Sequence, residues 1–132
     1  MPVTTQRIEP HVYLTTYSES PLIKQMLDAV AYRKTIADNY EEVYFVSIVD
    51  LTRFGTMPYD VSSVRRAVAH DNRNLRTLAI GAPLYVRALM ETFRSLLGLK
   101  MEFYETREEA LERARCLLER KRETTQDGFC SR

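Results

Sequence analysis

Four stretches of the chain carry apolar residues at strand spacing, and after each one they recur at helical spacing. The first expected strand is 11–17 (HVYLTTY), rich in β-branched and aromatic residues, with Val12, Leu14 and Thr16 on one face. Ser20 and Pro21 then offer a cap and a first-turn proline. Leu22, Ile23, Met26, Leu27, Val30 and Ala31 follow on one helical stripe, which predicts a helix to about Asn39. The second strand, 43–51 (VYFVSIVDL), is apolar almost throughout, as a strand covered on both faces should be. After the loop 52–59, Asp60 is placed to cap a second helix from Val61 to about His70, with Val61, Val64, Ala67 and Val68 on one side.

The third strand is 75–81 (LRTLAIG). Pro83 opens a third helix and Gly98 ends it. In 100–105 (KMEFYE), Met101 and Phe103 alternate with Glu102 and Tyr104, the pattern of an edge strand. Thr106 and Glu109 form a capping box, and Ala110, Leu111, Ala114, Leu117 and Leu118 give the fourth helix its stripe. Strand followed by helix, four times over, predicts a single α/β domain over 11–120: a four-stranded, mostly parallel sheet alternating with four helices. Residues 1–10 and 121–132 are expected to be flexible tails.

Composition adds limits. The chain has 132 residues, 45% of them hydrophobic and 28% charged, which suits one globular domain with a core of its own. A formal net charge of +1 argues against a general binder of nucleic acid or acidic membranes. No apolar run approaches the ~20 residues that span a bilayer, and 1–10 does not read as a signal peptide. The expectation is therefore a cytoplasmic chain without integral membrane association. Cys116 and Cys130 have no metal or redox spacing; they could pair, but they read first as a half-buried thiol and a tail thiol, which fits a reducing compartment. No metal and no cofactor are expected.

Ligands of open α/β sheets bind beyond the carboxyl ends of the strands. That points to the loops 50–60 and 81–87, each leading into a helix amino terminus where an anion is favoured. The candidate ligand-binding residues there are Asp50, Thr52, Arg53, Gly81, Tyr85 and Arg87, for a small apolar or anionic ligand. Asp50 fits a loop-capping role better than a catalytic one. The sequence contains no nucleophile elbow, phosphate loop, dinucleotide fingerprint or zinc-binding histidine pair. His11 and His70 are its two histidines, and both read as structural. An enzyme built on Asp50, Arg53 and Arg87 would lack a nucleophile and a base poised near neutral pH, so catalysis is not expected. Arg65, Arg66, Arg73 and Arg76 lack interleaved aromatics and read as a solvated face, not a nucleic-acid contact.

The third helix carries more apolar residues than one buried stripe requires. Tyr85, Leu89, Met90, Phe93 and Leu97 are the expected contact surface, either for a second copy in a homodimer or for a regulatory protein partner.

The segments VSIVDLTRFG (46–55), LRTLAIGAP (75–83) and YETREEALERA (104–114) resemble the STAS/SEC14-like family, domains similar to the sporulation anti-sigma-factor antagonist. In that family a hydrophobic strand ends in an Asp-Leu type turn, a later strand ends in a small-residue turn, and a short strand leads into a Glu-Glu-Ala helix. The resemblance spans about 11–118. It implies an interaction or ligand-binding module and not an enzyme. Anti-sigma antagonists carry an Asp-Ser-Ser-Gly turn whose serine is phosphorylated; the matching place here reads Asp60-Val61-Ser62-Ser63-Val64, with an added Val and no Gly. A phosphate on Ser62 or Ser63 would lie in a first helical turn, near Arg65 and Arg66.

Overall fold

The computed structural model describes residues 3–19, 22–54, 72–98 and 100–123, without the side chains of Ile23, Phe93 and Leu97. Five strands form one mixed sheet in chain order: β1 (Val3–Glu9), β2 (Val12–Tyr17), β3 (Phe45–Asp50), β4 (Asn74–Ile80) and β5 (Met101–Tyr104). β1 runs antiparallel to β2, and every later neighbour pairs in parallel. Helix α1 (Ile23–Asn39) follows β2, α2 (Leu84–Leu97) lies between β4 and β5, and α3 (Arg107–Arg122) closes the order. The α/β class is as expected. The detail differs, because the sheet is five-stranded and mixed, and three helices lie among the described residues. The helix expected over 61–70 lies outside them.

The additional strand is the segment expected to be a tail. Its polar look conceals Thr5, buried with its hydroxyl 3.0 Å from that of Thr15 on β2. Its two charged residues are satisfied elsewhere in the fold: Arg7 by Glu42, and Glu9 by Arg115 of α3, whose Nε lies 3.2 Å from a Glu9 carboxylate oxygen. Pro10 and His11 make the tight turn into β2, with His11 in the left-handed region at φ 68°. The domain also continues past the expected boundary at 120, since α3 runs to Arg122.

Each face of the sheet is covered. Val12, Leu14, Val46, Ile48, Leu78 and Ile80 meet Ala110, Ala114, Leu117 and Leu118 of α3. The small residues of that helix let it lie close to the strands, and the Thr106–Glu109 capping box starts it as the sequence predicts. On the opposite face, Tyr13 and Phe45 pack with Ala37 of α1, while Leu51, Phe54, Ala79 and Met101 pack with Val86 and Met90 of α2. β3 is the central strand, as its apolar run implies, although it begins at Phe45 and leaves Val43 74% exposed. The buried side of α1 is Met26, Ala29, Arg33 and Ala37, shifted from the expected stripe; Leu22, before the helix, is exposed. Arg33 enters that side by donating to the Ser47 hydroxyl at 3.0 Å and lying over the Phe45 ring.

Cys116 is disulfide-bonded, which corrects the free-thiol reading and removes the thiol on which the expected reducing compartment leaned. Cys130 lies outside the described residues. Among the described residues, no helix is long and apolar enough to cross a membrane.

Candidate functional site

The carboxyl ends of β3 and β4 lie side by side, with Asp50 paired to Ile80. Leu51 N–H donates to the Ile80 carbonyl at 2.9 Å, and Phe54 N–H returns to the Leu51 carbonyl at 3.0 Å, so the loop after β3 folds back over the strand ends. Asp50 Oδ1 accepts the Thr52 N–H at 2.9 Å, so the carboxylate holds its own turn. Gly81 sits at φ +64°, and a Cβ there would fall 2.6 Å from the Thr52 hydroxyl oxygen. The strand-end loops are thus pressed together, with Asp50 and Gly81 both beside Thr52.

Of the other predicted residues, Arg87 is turned away from the loops, and Arg53 and Tyr85 are exposed. Arg87 pairs with Glu91 at 3.5 Å and lies over the Phe103 ring, on the β5 side of α2. Arg53 is exposed in the turn. Tyr85 is 56% exposed in the first turn of α2. The amino end of that helix has Pro83 at its cap position, without a side-chain hydrogen bond, and no acid in its first turn. Gly55 to Asp60, the serines Ser62 and Ser63, Arg65, Arg66 and His70 lie outside the described residues.

The expected contact surface of α2 needs one correction. Met90 is 7% exposed and packs with Leu51, Phe54, Ala79, Val86 and Met101, so it belongs to the core. The reason is helical phase. Val86 and Met90 stand four apart on the side facing the sheet, whereas Tyr85 and Leu89 each precede them by one position, a rotation of about 100°. Leu89 is half-buried, and the side chains of Phe93 and Leu97 are not described. Leu84 at 84% exposure and Leu96 at 65%, both absent from the predicted set, complete the outward strip with Tyr85. Counting the residues left over after one core stripe would have found them.

A tightly held titratable group stands at the opposite, amino end of the parallel strands, in the loop before β3. Glu42 is 6% exposed. Its Oε2 accepts from Arg7 Nη2 at 2.7 Å, from Arg7 Nε at 3.1 Å and from the His11 backbone N–H at 2.8 Å, while Oε1 accepts from the Tyr13 hydroxyl. Burial alone would raise the pKa of this carboxyl; the Arg7, Tyr13 and His11 donors outweigh it and hold the value below the ordinary carboxylate range. Burial, reinforced by Glu42, pushes the Tyr13 phenol upward. The Arg7 guanidinium lies 3.8 Å from the centre of the Tyr40 ring, and the His11 ring stacks on Tyr44, with Nδ1 2.9 Å from the Tyr44 carbonyl oxygen. Glu42 was not legible as a buried residue. The available signal was Tyr13, a strand tyrosine on a covered face, whose hydroxyl needs a partner.

Glu102 of β5 forms a similar centre on the α3 face. It accepts from Arg113 Nε at 3.0 Å and Nη2 at 3.2 Å, from the Tyr104 hydroxyl at 2.7 Å and from Arg76. Here too burial raises the pKa, but Arg113, Tyr104 and Arg76 prevail and lower it to about 2. Arg73 pairs with Asp38 at 2.9 Å, so Arg73 and Arg76 both engage acids within the fold. Among the described residues, no group of His, Cys, Asp and Glu is placed to hold a metal ion. Compared with protein-family models, with curated proteins and with solved structures, the chain matches none of them.

Proposed function

We propose that this chain is a non-catalytic regulatory or ligand-sensing module that works through protein contact and associates with itself. The observation that carries this reading is the outward strip of α2, where Leu84, Tyr85 and Leu96 are 84%, 56% and 65% exposed beside the core-facing Val86 and Met90. Several large apolar side chains exposed along one helix support an interaction surface there. The acids support the non-catalytic part: Asp50 holds a turn, and Glu42 and Glu102 are gripped by arginines. The resemblance to STAS/SEC14-like domains belongs to the same proposal, supported by the strand-helix order and the Asp50-Leu51 turn.

Light scattering over a concentration series tests the reading. The wild type is expected to pass from monomer to dimer, and Leu96→Glu to stay monomeric with the melting temperature of the dilute, monomeric wild type. A wild type that remains monomeric would remove self-association.

A second reading is a carrier of a small apolar or anionic ligand at the strand-end loops. The uncapped amino end of α2 beside Gly81 favours it, because free N–H groups and the helix dipole attract an anion there. Native mass spectrometry of protein purified from cells would show a retained small molecule if the loops hold one.

A further inference from the structure

We draw no further inference here: the strongest candidate, the outward apolar flank of α2 at Leu84, Tyr85 and Leu96, belongs to the contact surface already described, and nothing in the structure shows what covers it.

Discussion

The amino end of the parallel strands and the outer flank of α2 solve opposite problems. At the first, a carboxylate has been taken out of water and matched on both oxygens by β1, the β1–β2 turn and β2. At the second, large apolar side chains have been left in water beside a well-packed core. The polar excess is resolved inside one copy and ties the edge hairpin to the loop before β3. The apolar excess is not resolved by the described residues, and the proposed contact surface is placed there for that reason.

That contrast can be broken by mutation. The largest effect is expected at Glu42→Ala, which leaves the Arg7 charge and the Tyr13 hydroxyl without their acceptor. Removing one partner of a buried ion pair costs about 3–5 kcal/mol, to be read from urea unfolding. A loss under about 1 kcal/mol would mean that the cluster is not a structural staple. Next is Met90→Ala, expected to lose about 3 kcal/mol because it leaves a cavity between α2 and the sheet. The same change at Leu96 should stay within about 0.5 kcal/mol in the monomer. Comparable losses at both positions would erase the distinction between the core side of α2 and its free flank.

A further effect is read in acid. Glu42 and Glu102 both have folded pKa values below the ordinary value of 4.5, that of Glu102 at about 2. A depressed carboxyl pKa adds stability that is complete above the unfolded value and is lost as the pH falls through the folded one. Stability should thus decline from about pH 4.5 towards pH 2. Glu102→Gln should flatten part of that decline without altering the profile above pH 5.5. An unchanged acid limb would show that the Arg113–Glu102–Arg76 cluster contributes nothing.

Local patterns made much of the architecture legible. The continuous apolar run ending at Asp50 marked the central strand, the alternation of Met101 and Phe103 with Glu102 and Tyr104 marked the edge strand, and Thr106 with Glu109 marked the start of α3. β1 was hidden because its charged residues read as solvent-exposed until their partners, Glu42 and Arg115, are brought from distant parts of the chain. Met90 lies on one of two apolar stripes of its helix, and only the sheet beneath selects the one that is buried. At the strand ends, Asp50 and Gly81 were placed by turn chemistry, which is local, whereas the direction of Arg87 depended on Phe103, in the strand beyond the helix.

What the sequence by itself determined is therefore whatever neighbours in the chain can decide: periodicity, caps and turns. Tertiary structure alone decided which charges are buried, which helical stripe is covered and where the sheet ends. Those outcomes depend on the free energy of contacts between residues far apart in the chain, and no local pattern records it.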